Sequence, residues 1–392
     1  MRGMNNIKIL HVCLSCFYID NHSYQENLLP RYHKKMGYDV EIIASQENFD
    51  ENGEKTNEGE FREYLNEDNI KVTRLEYKNI IFSKKLKLYK NTERYINESN
   101  PDIIFVHGSQ FLDLKIIREY CQKNPQVKLY IDNHADFSNS AKNFISKNIF
   151  HGIIWRKNVK QIISLTEKFY GVLPARVNFL NEVYKIPKSK IDLLVMGADS
   201  DYIQKLTENS SEEITLLKNS LIENDDFLIV TGGKIDNAKK EIFRLIKSVK
   251  EVKGVKLVIF GSVIEELQEE FFNAIDNPQI KYVGWIKSIE SYKYFLAADL
   301  VVFPGRHSVL WEQAVGTGVP GVYKKWAGTE HINVNNNVIF LEDDSSQTLV
   351  DLLNQLKHKD RRRYRGLLEN SKRIKDTFSY SKIAEKSINH MN

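Results

Sequence analysis

Two lysines that follow a pair of glycines are the first residues whose types and spacing suggest chemistry. Lys234 directly follows Gly232 and Gly233, and Lys239 stands five residues further along the chain. Glycine at a strand end lets the backbone approach a ligand closely, and two cations there neutralise a diphosphate. The same pattern, taken alone, also fits two solvated lysines at the start of a helix. Gly233, Lys234 and Lys239 are therefore candidates for a diphosphate site.

A second segment, 301–322, runs from a buried strand through a short polar loop to a helix that begins near Ser308. The free N–H groups at a helix N-terminus favour a phosphate. Arg306 and His307 lie in the loop and add charge beside a diphosphate, while Glu312, one turn into the helix, can accept hydrogen bonds from a sugar diol. An ordinary surface helix with a capping loop fits the pattern equally well.

Two histidines in the first half of the chain stand at the ends of predicted strands. His134 lies in the sequence Asp-Asn-His-Ala-Asp that follows one strand, and His107 is the last residue of another. A histidine at such a position can bind a sugar hydroxyl or transfer a proton. We predict His134 as a catalytic residue and His107 as an acceptor-side residue. The alternative for both is a histidine with a purely structural hydrogen bond.

The elements that position these residues follow from the alternation of short β-branched runs with longer amphipathic stretches, which is typical of βαβ units. The polar stretch between Asp199 and Asp226 separates two such series, so we expect two doubly wound α/β domains with a cleft between them. The predicted strands are 7–12, 39–44, 70–75, 102–107, 128–132, 161–165, 190–195, 227–231, 256–260, 280–283, 300–303, 319–322 and 338–340.

Composition excludes several classes of protein. The 392 residues are 42% hydrophobic and 28% charged, which excludes a disordered chain. A net charge of +4 lacks the imbalance of a nucleic-acid binder, and three cysteines cannot form a disulfide framework. We find neither a membrane-spanning window nor a signal peptide and expect a cytoplasmic protein. The segment 144–163 mixes aromatic and basic residues, which fits a membrane-surface patch or an ordinary amphipathic helix.

The helix segment resembles the donor site of retaining GT-B glycosyltransferases, in particular the large glycosyltransferase family four. Ala314, Gly318 and Pro320 match the second half of that family's motif, in which two Glu residues are separated by seven others. The family's second Glu binds the nucleotide ribose. Gln313 takes its position in strict register, and Glu312 stands one residue earlier, so we assign the ribose to Glu312 with Gln313 as the alternative. The first Glu has no counterpart, and the first half of the motif is degenerate.

The glycine–lysine segment is similar to the family's Gly-Arg-Leu-x-x-x-Lys-Gly pattern, with Lys234 in place of the Arg and Lys239 matching the Lys. The resemblance implies that both stabilise the departing nucleoside diphosphate, with Gly233, Arg306, His307, Ser308, Glu312 and Gln313 binding the donor. It also places a His close to the donor sugar, where we assign His134. The first loop lacks the family's paired glycines, and Ser23, before the next helix, takes their place on the acceptor side.

The resemblance implies a transferase that moves a sugar, with retention, from a UDP- or GDP-sugar to a glycan or lipid-linked acceptor of a bacterial surface polysaccharide. We expect no cofactor, no metal and no nucleic-acid partner. We do expect a peripheral contact with the inner face of the cell membrane. We expect an acceptor domain at 1–205, a donor domain at 206–375 and a C-terminal helix at 376–392 that crosses back to the first domain. The alternatives are a GT-B nucleotide-sugar epimerase, a sugar phosphorylase, or a non-catalytic partner subunit.

Overall fold

The apolar runs form the strands of two separate sheets in a computed structural model of the chain. The structure describes residues 7–49, 55–57, 62–141, 143–223, 225–237, 239–343, 345–358 and 362–389. The chain divides into two compact units, which we call the first and the second unit. The first comprises Met1–Val195 with Ile383–Asn392, and the second comprises Met196–Lys382.

The first unit is built on an eight-stranded sheet. The described strands of this unit are β1 (Lys8–Cys13), β2 (Asp39–Ser45), β3 (Glu47–Phe49), β4 (Lys55–Asn57), β5 (Arg62–Leu65), β6 (Lys71–Leu75), β7 (Ile103–His107), β8 (Lys128–Asn133), β9 (Thr166–Gly171) and β10 (Ile191–Leu193). Strands β3 and β4 lie outside the large sheet and pair with each other. The order is β10-β9-β8-β7-β1-β2-β6-β5, and the only antiparallel neighbours in this sheet are β5 and β6.

The helices of this unit connect successive strands. They are α1 (Gln25–Lys35), α2 (Ser83–Leu86), α3 (Thr92–Ser99), α4 (Leu114–Lys123), a π-helix (Ile145–Trp155), α5 (Arg156–Lys160) and α6 (Pro174–Glu182). Helix α15 (Tyr380–Ile388) ends the described chain, and its residues from Ile383 onward belong to the first unit.

The second unit has a fully parallel six-stranded sheet. Its strands are β11 (Phe227–Gly232), β12 (Val255–Phe260), β13 (Ile280–Tyr282), β14 (Leu300–Phe303), β15 (Gly321–Lys324) and β16 (Val338–Leu341), in the order β13-β12-β11-β14-β15-β16. Its helices are α7 (Ser200–Asn209), α8 (Ser211–Leu221), α9 (Ile242–Lys250), α10 (Gln268–Ile275), α11 (Ser291–Ala297), α12 (Leu310–Thr317), α13 (Ser346–Leu356) and α14 (Arg362–Ile374).

The central strands explain why both sheets form. All residues of β7 and β14 are buried, and in each strand the residues before the last are consecutive apolar ones. Such continuous apolar runs are typical of parallel strands that are covered on both faces. In both sheets the strand order reverses at one point, between β1 and β7 in the first unit and between β11 and β14 in the second. Ligands of doubly wound sheets bind outside the carboxyl ends of the strands at this point.

The predicted strand 161–165 is wrong. These residues form turns after α5, and β9 begins only at Thr166. Val159 and Ile162 are fully buried, and Leu165 packs against the same core. Apolar residues three apart are typical of a buried helical face, and here they continue the face of α5 into the turns that follow it. The adjacent Ile162 and Ile163 therefore resemble a strand in sequence without forming one.

The polar stretch that was predicted as a boundary is helical. It forms α7 and α8, which meet at Ser210. The Asp199 side chain caps α7 by accepting a hydrogen bond from the Tyr202 N–H at 3.2 Å, and Ile203 and Leu206 are buried at a helical spacing. Residue 205, where we expected the first domain to end, therefore lies inside α7, and the first unit ends before this helix.

Two helical glycines of the second unit allow a direct test of its packing. A Cβ added at Gly316 in α12 would lie 2.5 Å from the Ala198 Cβ, whereas one added at Gly366 in α14 would meet nothing within 4 Å. We expect Gly316→Ala to lower the free energy of unfolding by about 1–3 kcal/mol through overpacking. We expect Gly366→Ala to raise it by up to about 1 kcal/mol through helix propensity. Urea unfolding measures both, and equal stability of the two variants would contradict this packing.

Candidate functional site

The strand-order reversal of the second unit carries a crevice where predicted donor residues meet. The loops after β11 and β14 form its walls. It is lined by Thr231, Gly232, Gly233, Lys234, Ile235, Lys239, Ile242, Ile259, Phe303, Pro304, Gly305, Arg306 and Ser308. Five predicted residues, namely Gly233, Lys234, Lys239, Arg306 and Ser308, are thus brought together, although they come from segments about seventy residues apart in the sequence.

Glycine is required in this crevice for backbone reasons. Gly233 has a φ of +111°, and Gly261, at the end of β12, has a φ of +117°. A Cβ at Gly261 would lie 2.2 Å from the Gly233 carbonyl oxygen, so the two backbones are in contact. A side chain at Gly261 would push the Gly233 loop away, and a side chain at Gly233 would be strained at its positive φ.

Lys239 is the most enclosed cation of the crevice. Its Nζ would lie 3.7 Å from a Cβ added at Gly233, which places the ammonium group over the bare glycine backbone. Burial and the positive charge of Lys234 lower the pKa of Lys239, and Asp236 opposes this shift. Lys234 and Arg306 are exposed and lie around it. An anion in the crevice would relieve the repulsion between these cations.

Glu312 is fully buried in the first turn of α12 and does not line the crevice. Its Oε1 accepts hydrogen bonds from His307 Nε2 at 2.7 Å and from His331 Nε2 at 2.8 Å. Although burial opposes the shift, these two histidines lower the pKa of Glu312 to about 2. Its Oε2 is also buried and has no hydrogen-bond partner among the described residues. His307, which we predicted as a donor contact, is therefore engaged with Glu312.

His331 is a residue of this group that the sequence did not indicate. It lies in a short turn (Glu330–Ile332) after β15, nineteen residues beyond Glu312. No motif connects the two positions, because the contact depends on how β15 and the following turn return to α12. Gln313, the alternative to Glu312, is also fully buried in α12.

The strand-order reversal of the first unit carries a larger cavity of about 890 Å³. Ser15, Cys16 and Phe17 line it from the loop after β1, and Gly108 and Gln110 line it from the loop after β7. The other lining residues include His134, Lys85, Lys87, Phe144, Ile145, Phe150 and Trp155. Its volume lies within the range of small-molecule binding sites. Of the predicted site residues of this unit, His134 is the one that lines it.

Asp132 is the centre of a buried hydrogen-bond network beside this cavity. It is fully buried, and its Oδ2 accepts from His107 Nδ1 at 2.8 Å and from Gln25 Nε2 at 3.0 Å. Its Oδ1 accepts from the Gly108 N–H at 2.9 Å and lies 3.3 Å from His134 Nε2. The side chain of His134 is 27% exposed, so part of its ring is open to a ligand while its Nε2 lies beside Asp132.

Two acceptor-side predictions need correction. His107 is fully buried, and both its ring nitrogens are engaged, Nδ1 with Asp132 and Nε2 with His11. It therefore does not line the cavity and contacts Asp132 instead. Ser23 is 2% exposed and precedes α1, and it does not line the cavity.

Two groups of side chains raise the question of a metal ion. His107, Asp132 and His134 form one, and His307, Glu312 and His331 form the other, each with donor atoms within 4.8 Å of one another. The shortest contacts in these groups are hydrogen bonds of 2.8 and 2.7 Å. Two ligands of one tetrahedral zinc ion lie roughly 3.3 Å apart. The His107–Asp132 pair and the Glu312 group are therefore joined by hydrogen bonds. The absence of a metal requirement stays a prediction.

Comparisons with known proteins relate the whole chain to solved structures. No protein-family model and no curated protein matches its sequence. Sucrose-phosphate synthase from Thermosynechococcus elongatus superposes with a TM-score of 0.70 at 12% identity, over 97% of each chain. A glycosyltransferase from Rickettsia africae superposes at 0.68 with 15% identity, over 98% of this chain and 97% of that one. HepE from Anabaena, solved in complex with UDP-glucose, superposes at 0.65 with 15% identity, over 98% of both.

An epimerase is also among the similar structures. UDP-GlcNAc 2-epimerase from Neisseria meningitidis, bound to UDP-GlcNAc, superposes with a TM-score of 0.60 at 12% identity, over 97% of this chain and 99% of that one. At such identities the likeness concerns the fold alone. With its two α/β units and their mainly parallel sheets, the chain has the GT-B fold that the resemblance implied.

Proposed function

We propose that this protein is a glycosyltransferase that uses a nucleotide-sugar donor. The observation that carries the proposal is the crevice of the second unit, where Lys234, Lys239 and Arg306 gather at the strand-order reversal of a parallel sheet. A nucleoside diphosphate supplies the negative charge that these side chains attract. The similarity in fold to a glycosyltransferase and to HepE with UDP-glucose supports this reading.

In this proposal the diphosphate lies over Gly233, whose bare backbone permits close approach. Lys239 and Lys234 stabilise the negative charge that develops on the leaving diphosphate as the sugar departs. Such preorganised charge is the main source of rate enhancement in many enzymes. The chemistry therefore does not need the pair of carboxylates that a glycoside hydrolase uses.

The nucleotide ribose is assigned to Glu312. Its buried Oε2, which has no hydrogen-bond partner among the described residues, is an acceptor that a ribose hydroxyl can satisfy. His307 and His331 hold the other oxygen and keep the carboxylate charged. Because Glu312 is fully buried, this contact requires a small opening of the loop that carries His307. Gln313 remains the alternative.

For the transfer itself we propose retention of configuration, with the acceptor hydroxyl attacking on the face from which the diphosphate leaves. The departing phosphate then takes up the acceptor's proton. His134, which Asp132 orients, is proposed to bind a hydroxyl of the transferred sugar. We place the acceptor in the cavity of the first unit, and we propose a role in the synthesis of a bacterial surface polysaccharide.

The function is tested by a mass-spectrometric screen of UDP- and GDP-sugars against glycan and lipid-linked acceptors. Transfer from one donor, with a product of higher mass, supports the proposal. Conversion of a nucleotide-sugar to an isomer without transfer would favour an epimerase, in keeping with the fold similarity to UDP-GlcNAc 2-epimerase. Nucleotide binding without any turnover would favour a non-catalytic partner subunit.

Replacement of Lys239 tests the stabilisation of the leaving group. We expect Lys239→Ala to lower kcat roughly 10²-fold or more, because a preorganised cation is lost where charge develops. The matched control is Lys240→Ala, since Lys240 is the exposed neighbour in the sequence. Steady-state kinetics with the donor found in the screen measures both variants. Near-wild-type turnover of Lys239→Ala would refute this role.

Replacement of Glu312 tests the ribose assignment. We expect Glu312→Ala to weaken the binding of the free nucleoside diphosphate roughly tenfold or more, on the scale of a hydrogen bond to a charged group. Glu266→Ala, at an exposed position of the same unit, is the control. Calorimetric titration measures the affinity. If Glu312→Ala binds the nucleotide as tightly as the control, Gln313 becomes the ribose ligand.

A lipid-linked acceptor is supported by a surface of the first unit that we call the apolar rim. Its side chains lie before α2 and along the π-helix, and most are more than half exposed; they are Ile80, Ile81, Phe82, Phe144, Ile145, Ile149 and Ile153. Lys85 Nζ lies 4.6 Å from the centre of the Phe150 ring and so joins the two segments. No described helix has the length and apolarity to cross a bilayer.

The apolar rim is continuous with the cavity, because Phe144 and Ile145 belong to both. Exposed apolar side chains beside lysines are typical of surfaces that bind anionic membranes. A lipid-linked acceptor can therefore place its polar end near His134 and its apolar chain along the rim. In this proposal the segment 144–163 contacts the membrane surface, which is the first of the two interpretations that its sequence allowed.

Vesicle binding tests the apolar rim. We expect the double variant Phe82→Ser/Phe144→Ser to bind phosphatidylglycerol vesicles at least about a hundredfold more weakly than the wild type, since about 2 kcal/mol of apolar burial is lost with each exposed ring. Phe272→Ser, at an exposed phenylalanine of the second unit, is the control. Vesicle sedimentation measures binding. Equal binding of all three proteins, or no binding by the wild type, would exclude the rim as a membrane contact.

A further inference from the structure

Three histidines of the first unit form a continuous buried line of hydrogen bonds. His33 Nδ1 lies 3.0 Å from His11 Nε2, and His11 Nδ1 lies 3.0 Å from His107 Nε2. All three side chains are fully buried. The line begins at the C-terminal helix α15 and ends at Asp132, beside the cavity. The proposed reaction uses neither His11 nor His33.

Helix α15 fixes the direction of the hydrogen bonds at one end. His33 Nε2 lies 3.2 Å from the Ala384 carbonyl oxygen and 2.9 Å from Ser387 Oγ. A carbonyl oxygen only accepts, and the Ser387 hydroxyl already donates to the same Ala384 oxygen at 2.8 Å. An unprotonated His33 Nε2 would direct its lone pair at the Ala384 carbonyl oxygen, 3.2 Å away, and the two would repel each other. With Ser387 donating to that same oxygen, His33 Nε2 therefore carries a hydrogen and donates it to α15.

The remaining hydrogens follow from this end. A neutral imidazole carries one N–H, so His33 Nδ1 has to accept, and His11 Nε2 has to donate. By the same rule His11 Nδ1 accepts a hydrogen bond, and His107 Nε2 donates it. The Asp132 carboxylate only accepts, so His107 Nδ1 must donate as well. The line thus leaves His107 with both of its ring nitrogens protonated.

We propose that His107 is a buried imidazolium paired with the Asp132 carboxylate, and that His11 and His33 are positioning residues that hold this charge through hydrogen bonds directed by helix α15. The pair presents His134 with a carboxylate whose charge is already balanced. The effect on His134 rests on the proposed function, whereas the protonation of His107 does not.

The pKa directions agree with this pattern. Although burial alone would lower it, Cys13 and Asp132 raise the pKa of His107 to about 9. Burial lowers the pKa of His11 well below its usual range, and burial with the charge of His107 lowers the pKa of His33 to about 3. Against burial, His134 and His107 lower the pKa of Asp132.

Several other titratable groups face the pair and belong to this balance. Cys13 lies on β1, and Cys16 lies in the loop after it. Glu26 lies on α1, with its Oε1 3.8 Å from His134 Nε2. A positive His107 beside Asp132 lowers the repulsion that Glu26 and Asp132 would otherwise exert on each other.

The alternative pattern has one proton fewer. If the Ser387 hydroxyl donated to His33 Nε2 instead of to the Ala384 oxygen, the three histidines would reverse their hydrogen bonds, with each Nδ1 donating toward Asp132. His107 would then be neutral, and Asp132 would be an uncompensated carboxylate beside His134. The acceptors on α15 therefore select the charged form, which links the docking of the C-terminal helix to the charge beside the cavity.

Imidazole NMR of the full chain, labelled with ¹⁵N in histidine, tests the proposal without any substrate. His11→Asn, His33→Asn and His107→Asn assign the signals. At pH 7.5 we expect His107 with both nitrogens protonated, and His11 and His33 as neutral Nε2–H forms. In His33→Leu we expect the midpoint of the His107 titration to fall by at least about one pH unit, toward its ordinary value. His358→Leu, at an exposed site in the second unit, should leave it unchanged.

Each result decides the question. A neutral His107 in the wild-type protein at pH 7.5 would overturn the proposal. A charged His107 that keeps its titration in His33→Leu would overturn the role of His11, His33 and α15, and would leave Asp132 as the sole cause. If His33→Leu does not fold, the forms of His11 and His33 in the wild type decide the direction of the line. A protein without transferase activity can still give the expected spectra, so the two proposals fail separately.

Discussion

A buried carboxylate must be compensated by donors that the fold brings to it, and both units of this protein contain such a carboxylate near a strand-order reversal. Asp132 and Glu312 are both fully buried, and each lies beside two histidines. An isolated carboxylate in such surroundings costs far more free energy than any single contact returns. The segments that carry the histidines are therefore held against these carboxylates, next to the crevice and the cavity.

The buried carboxylate lies beside a different kind of site in each unit. In the second unit, the histidines from the loop before α12 and from the turn after β15 hold Glu312 beside a crevice with three cations. In the first unit, His107 and His134 hold Asp132 beside a cavity with an apolar rim. A cationic crevice suits a diphosphate, and a cavity with polar lining residues and an apolar rim suits an acceptor with a lipid chain.

The sequence predicted most of the fold because parallel strands buried on both faces are continuous apolar runs. It also predicted that Gly233, Lys234, Lys239, Arg306 and Ser308 belong together, since strand ends of one sheet meet at one edge. It could not predict His331 or the line of His11 and His33, because these contacts join segments that no local pattern connects. The strand expected at 161–165 failed because two adjacent isoleucines fit a helical face and a strand equally well.

The most direct measurement is a calorimetric titration of the full chain with UDP, GDP, UMP and GMP at low ionic strength. A crevice that binds a diphosphate through Lys234, Lys239 and Arg306 should bind one nucleoside diphosphate at least about tenfold more tightly than its monophosphate, because the second phosphate adds charge-assisted contacts. This preference should decrease as salt is added. Equal binding of the diphosphate and the monophosphate, or no binding of either, would contradict the assignment of the crevice.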